Sequence, residues 1–146
     1  MPNDLRSEEV AMPTAFGPQL IGETEKTLNA LLDRRLADTG LSEPQWVTLR
    51  LADQLGGTVD ADGLAHAVRD RAHFADADGL VGALSARGLL QQGDLTPAGR
   101  ELLTGVQTAL LVETAPIFDD LPADDVAAAT RVLNEVVSRA RVALSG

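Results

Sequence analysis

Two aspartates and two histidines share one helical face if a single helix continues through them. Asp62, His66, Asp70 and His73 lie at positions i, i+4, i+8 and i+11, a spacing that aligns carboxylates and imidazoles. Such a face suits a divalent cation. The helix is expected to end near Arg71, however, so the pattern favours exposed polar side chains, or a pH-sensitive surface. We therefore predict no metal site.

No other group of residues has the pattern of a catalytic site. The five serines lie in no nucleophile motif, and Ser42 is better explained as a helix cap. The absence of cysteine excludes disulfides and thiolate chemistry. No glycine-rich phosphate loop is present. We expect a protein that is not an enzyme and needs no cofactor, with catalysis in an interhelical cavity as the least favoured alternative.

The composition predicts a helical protein with an acidic surface. Of the 146 residues 45% are hydrophobic but only 3% are aromatic, so Leu, Val and Ala must build the core, and these favour helices. No apolar run approaches the roughly 20 residues of a membrane helix, and we expect a cytoplasmic protein with no membrane partner. The net charge of −10 repels DNA unless the cations gather on one face.

Long helices are predicted at both ends of the chain, at about residues 19–38 and 97–144, after an N-terminal arm of residues 1–18. Thr96-Pro97 opens the fifth helix, which runs towards Pro116. These helices carry wide apolar faces that a chain of this size does not cover alone. We therefore predict a homodimer joined by them.

Shorter elements are predicted between them, in a lobe of about residues 42–96. Residues 42–45, Ser-Glu-Pro-Gln, have the pattern of a helix start with a capping box. Asp60 is a plausible cap for the third helix. Residues 89–95 leave room for a very short hairpin, with Gly93-Asp94 as its turn. The predicted fold is mainly α, a single domain over residues 19–146 with five or six helices and a minimal β-ribbon.

Three segments of this pattern resemble the MarR family of winged-helix transcriptional regulators. Residues 40–49, Gly-Leu-Ser-Glu-Pro-Gln-Trp-Val-Thr-Leu, are similar to the opening of the family's second helix. Residues 84–90, Leu-Ser-Ala-Arg-Gly-Leu-Leu, resemble the end of its recognition helix, and residues 95–100, Leu-Thr-Pro-Ala-Gly-Arg, resemble the entry to its fifth helix. The resemblance spans residues 19–144. It implies a winged helix-turn-helix that dimerises through its terminal helices.

The resemblance also implies contacts with duplex DNA, through a recognition helix and a basic wing. The residues it assigns to DNA are Ser42, Gln45, Arg69, Arg71 and Arg87. The alternative for the three arginines is pairing with neighbouring aspartates on the surface.

The family further binds small anionic or aromatic ligands beside its winged-helix lobe. The resemblance places such a ligand near Trp46, with Arg50 one helical turn away and Arg34 available to a carboxylate. Packing of Trp46 in the core is the simpler interpretation.

The part of the chain that should meet DNA departs from the family pattern. Asp76, Asp78, Gly79, Gly82 and Ala83 stand where the family usually has Ser, Thr and Arg. The wing is short and contains no Arg or Lys, and the stretch between residues 65 and 84 is longer than usual. Residues 57–95 contain three arginines and six aspartates, a net charge of 3 − 6 = −3. We therefore expect a dimeric, ligand-responsive regulator with weakened DNA binding, or a relative that has lost DNA binding and serves as a ligand-binding or protein-interaction module.

Overall fold

The computed structural model describes residues 13–146, so all but the last part of the predicted arm lies outside the described residues. Over residues 13–146 the chain is mainly helical, with 74% helix, six α-helices and one two-stranded antiparallel ribbon. This confirms the predicted fold class. The helices are α1 (Pro18–Leu36), α2 (Glu43–Leu55), α3 (Ala61–Ala67), α4 (Ala77–Ala86), α5 (Pro97–Phe118) and α6 (Ala123–Ser145). A π-helical segment, Val68–Ala72, follows α3. The ribbon consists of β1 (Leu90–Gln91) and β2 (Asp94–Leu95).

The chain divides into two compact units, one reaching Thr108 and the other running from Ala109 to Gly146. The first unit holds the hydrophobic core. Leu36, Leu49, Leu64 and Leu84 come from α1, α2, α3 and α4 and are each no more than 1% exposed. Leucine dominates this core because the chain has few aromatic residues to fill it.

The predicted capping box at the start of α2 is confirmed. The hydroxyl of Ser42 accepts a hydrogen bond from the Gln45 amide at 3.3 Å, and the Ser42 amide donates to the Gln45 side chain at 3.0 Å. Asp60 caps α3 as predicted, since its carboxylate accepts from the Gly63 amide at 2.9 Å. Such caps satisfy amides that have no partner inside the helix.

The ribbon turn differs from the prediction by one residue. Leu90 pairs with Leu95 and Gln91 with Asp94, so the turn residues are Gln92 and Gly93 and not Gly93-Asp94. Both have positive φ, 55° and 80°, as a type I′ turn requires. A Cβ on Gly93 would lie 2.5 Å from the Asp60 carbonyl, so only glycine fits against that backbone. This close approach, which the sequence alone does not reveal, fixes the register.

The fifth helix was predicted to run towards Pro116, and it continues two residues past that proline. Pro116 lies in the last turn of α5, which ends at Phe118. The last helix, α6, begins after Pro122 as its N-cap and has Asp124 and Asp125 in its first turn, where acidic side chains suit the helix dipole. Among the described residues, no helix has the length and apolar character needed to cross a bilayer.

Candidate nucleic-acid interface

The helix that should meet DNA, α4, has a buried inner face and an acidic outer face. Ala77, Val81 and Leu84 are buried and fix the helix to the lobe. The five residues that depart from the family pattern are all exposed. They present carboxylates and small side chains where a DNA-reading helix presents cations and hydroxyls.

Arg69 forms an ion pair with one of these carboxylates. Its Nη1 lies 3.3 Å from Oδ2 of Asp78, and the two side chains are 46% and 76% exposed. An exposed pair of this kind contributes little to stability, typically below about 1 kcal/mol. Its consequence is electrostatic, because it neutralises a cation of the lobe on the surface that the resemblance predicts to meet DNA. The expectation that surface arginines pair with nearby aspartates is confirmed for Arg69.

Arg87 bonds to the protein backbone. Its Nη1 donates to the carbonyl of Gly40 at 3.2 Å and its Nη2 to the carbonyl of Thr39 at 3.1 Å. Arg71, by contrast, is exposed at the end of the π-helical segment. Of the three arginines predicted to meet DNA, Arg71 alone has no ion pair or hydrogen bond among the described residues.

The helix expected to end near Arg71 ends as a π-helical segment. His73 follows it with a left-handed backbone, φ 60°, and its amide donates to the Arg69 carbonyl at 3.1 Å. The regular helix that would align all four predicted side chains therefore does not continue to His73. Within residues 13–146 no group of three or more His, Cys, Asp or Glu side chains is arranged to hold a metal ion.

The ribbon, which the resemblance assigns to the wing, packs against the backbone just before α3. Gly93 is buried against the backbone of Val59 and Asp60. The side chain of Asp94 points back towards Gly57 and accepts a hydrogen bond from the Leu95 amide at 2.8 Å. A ribbon of this length and direction offers no cation to a minor groove.

Ser42 and Gln45, also predicted to meet DNA, are engaged with each other in the capping box. The three residues predicted to bind a ligand differ in their solvent exposure. Trp46 is only 2% exposed, which confirms that it packs in the core, whereas Arg50 and Arg34 are exposed on α2 and in the last turn of α1.

A small apolar cleft lies elsewhere in the lobe, between the first turn of α2 and the loop before α4. Its volume is about 300 Å³, enough for one small ring compound. It is lined by Pro44, His73, Phe74, Ala75, Asp76 and Leu80. This cleft was not predicted from the sequence. The available signal was Phe74, a half-buried aromatic residue in a short interhelical loop.

Acidic groups gather where α1 approaches the start of α2. The pKa of Glu43 is raised, mainly because partial burial disfavours its charged form and further because Glu25 and Asp33 on α1 are also negative. Three carboxylates therefore act on one another where these two helices approach.

The second unit exposes many large apolar side chains. From Ala109 onward no residue of the chain is buried. Twelve large apolar residues of this unit are exposed, and we name them the C-terminal apolar surface: Leu111, Val112, Ile117, Phe118, Leu121, Val126, Val132, Leu133, Val136, Val137, Val142 and Leu144.

No family model matches the sequence, and no curated protein matches it. Among solved structures, the chain is similar to a protein of unknown function from Listeria innocua Clip11262, with a TM-score of 0.61 and 16% sequence identity. The similarity covers 94% of this chain and 98% of that one. At this identity the comparison shows a shared fold, and it extends over both units.

Proposed function

We propose that the chain is a cytoplasmic, MarR-like transcriptional regulator that acts as a homodimer, responds to a small ligand and binds duplex DNA weakly. The observation that carries the proposal is the position of α4. It follows α3 and the π-helical segment, precedes the ribbon, buries its inner face and leaves its outer face exposed, an order that supports a helix-turn-helix. A recognition helix occupies this position in DNA-binding proteins with this motif.

The C-terminal apolar surface supports pairing with a second copy. A helix as long as α6, with 23 residues and none of them buried, gains little stability by itself in water. The C-terminal apolar surface has twelve large exposed side chains, and each partner in a stable complex of standard size buries about 800 Å². A surface of this size is unusual on a monomer. A second copy of the chain would cover this surface without any other protein being required.

A charge placed in this surface tests the dimer. We expect Val137→Glu to dissociate it, because burying a carboxylate without a partner costs several kcal/mol. Ser138→Glu is the matched control, since it adds the same charge at a neighbouring exposed position outside the apolar surface. Sedimentation equilibrium gives the mass of each variant. An unchanged protein that is monomeric at micromolar concentration, or a Val137→Glu variant that remains dimeric, would contradict the proposed pairing.

Weak DNA binding follows from the charges of the lobe. Asp78 neutralises Arg69, Arg87 bonds to backbone carbonyls, and the wing has no cation. Few phosphates are therefore neutralised, and both the affinity and its salt dependence should be small. Fluorescence anisotropy with duplexes from the upstream region of the chain's own gene tests this between about 50 and 200 mM salt. The proposal expects measurable binding that weakens as salt rises.

A second candidate function is favoured by the same ion pair. With Arg69 held by Asp78 and two carboxylates exposed on α4, the fold could serve as a ligand-binding or protein-interaction module without DNA. This function predicts no salt-dependent binding to any duplex. Thermal stabilisation by small aromatic compounds, with probes such as benzoate and benzylamine, would still be expected through the cleft beside Phe74. Absence of both DNA binding and ligand stabilisation would exclude the two functions together.

A further inference from the structure

We infer that Arg87 is a positioning residue that holds α4 to the end of α1, and that it is not a DNA contact. The two carbonyls that it binds belong to consecutive residues, Thr39 and Gly40, in the corner between α1 and α2. They lie 48 and 47 positions earlier in the chain. The planar fork of a guanidinium can reach two neighbouring acceptors at once, which the single ammonium of lysine does less well.

The corner that receives Arg87 is itself fixed to α1. The Thr39 amide and hydroxyl both donate to the carbonyl of Leu36, at 2.9 and 2.7 Å. The Leu41 amide in turn donates to the Thr39 hydroxyl at 3.1 Å. Gly40 adopts a left-handed backbone, φ 74°, and a Cβ there would lie 3.7 Å from the guanidinium. Arg87 therefore bonds to a defined turn that continues the last residues of α1.

The backbone after Arg87 is held from the other side, by the residue that precedes α5. The Thr96 hydroxyl donates to the Gly88 carbonyl at 2.6 Å, and the Thr96 amide donates to the Leu89 carbonyl at 3.1 Å. The C-terminal end of α4 is thus bonded both to the end of α1 and to the start of α5.

The opposite end of α4 is held differently. Its N-cap, Asp76, makes no side-chain capping bond, and an exposed ion pair, Arg69 with Asp78, joins this end to the preceding segment. We therefore expect a displacement of α1 to reach α4 through Arg87, at the C-terminal end of the helix.

Amide hydrogen exchange in the full chain tests this inference without DNA, and so independently of the proposed function. The variant is Arg87→Lys, which keeps the charge, and Arg71→Lys is the matched control. We expect exchange of the Thr39 and Leu41 amides to become about tenfold faster in Arg87→Lys, since it loses one or both hydrogen bonds. The control and the Leu49 amide, which reports opening of the core, should not change. Unchanged exchange at the corner, or an equal change at Leu49, would overturn the inference.

DNA binding separates positioning from direct contact. If Arg87 positions α4, Arg87→Lys and Arg87→Gln weaken binding alike and leave the slope of log affinity against log salt unchanged. Arg71→Gln should lower that slope by about one, as expected when a phosphate contact is lost. Full affinity in Arg87→Lys with a lowered slope in Arg87→Gln would identify a phosphate contact and overturn the inference. If the unchanged protein binds no duplex, the proposed function fails while the exchange result still decides the role of Arg87.

Discussion

Removing one carboxylate from α4 should strengthen DNA binding more than any other single neutralisation in the lobe. Asp78 has a side chain that is 76% exposed, and it binds the guanidinium of Arg69 at 3.3 Å. Asp78→Asn therefore removes one negative charge from the surface that should face phosphate and releases a positive one. The fold should tolerate this change, because an exposed ion pair contributes below about 1 kcal/mol.

The size of the effect can be worked from these two charges. One additional phosphate contact is worth about 1 kcal/mol at about 0.1 M salt through counterion release. A carboxylate about 7 Å from a phosphate in water contributes a further repulsion of roughly 0.6 kcal/mol, which the variant removes. Together they amount to about 1–2 kcal/mol per subunit, or roughly a tenfold gain in affinity. The salt slope should steepen by about one for each subunit that engages the duplex.

Fluorescence anisotropy on one duplex at several salt concentrations measures both quantities. Asp120→Asn is the matched control, because it changes the net charge equally but lies between α5 and α6, outside the lobe. The reasoning would be refuted if Asp78→Asn gained no more affinity than Asp120→Asn. A gain that does not depend on salt would also refute it, since both contributions to the gain are electrostatic.

Three further substitutions test the packing of α5 and the acidic start of α2. Gly99→Ala should lower the free energy of unfolding, measured by chemical denaturation, by more than about 2 kcal/mol, because its Cβ would overlap the Leu89 carbonyl. Gly105→Ala in the same helix meets no atom within 4 Å and should raise that free energy by about 0.5–1 kcal/mol. Equal effects of the two substitutions would contradict the close approach at Gly99. Glu43→Gln should raise the free energy of unfolding near neutral pH, by less than about 1 kcal/mol because the group is partly solvated. The raised pKa of Glu43 means that the folded protein binds its proton more tightly than the unfolded chain, so the unchanged protein loses stability as pH rises through that pKa. The gain in the free energy of unfolding of Glu43→Gln should therefore vanish at about pH 4. Denaturation curves that show the same gain at pH 4 and near neutral pH would disprove this cause.

The sequence was sufficient to predict those elements that depend on residues close together in the chain. The capping box at Ser42 and the cap at Asp60 depend on residues within three positions of one another, and both are confirmed. The burial of Trp46 follows from its place on the apolar side of an amphipathic helix. These features were predictable because the physical cause and its effect lie within one turn of a helix.

Contacts between distant segments could not be predicted in this way. The ribbon turn is set by Gly93 against Asp60, and the side chain of Arg87 is directed by carbonyls more than 40 positions earlier. The cleft beside Phe74 likewise forms from α2, a loop and α4. None of these contacts produces a periodic pattern of residues in the sequence, so they could not be predicted from such patterns.

The three segments that resemble the MarR family all serve the scaffold. The first supplies the capping box at Ser42, and the second supplies the link from Arg87 to the end of α1. The third places Thr96 as a bond to the end of α4, and Gly99 where a Cβ would overlap the Leu89 carbonyl. A scaffold of this kind can persist whatever its outer face contacts, so the resemblance supports the fold more strongly than it supports DNA binding. The exposed face of α4, where Asp78 pairs with Arg69, is the part of the chain on which weak DNA binding and loss of DNA binding would differ. Asp78→Asn therefore tests whether this carboxylate limits DNA binding, while the proposed function itself depends on measurable, salt-dependent binding by the unchanged protein.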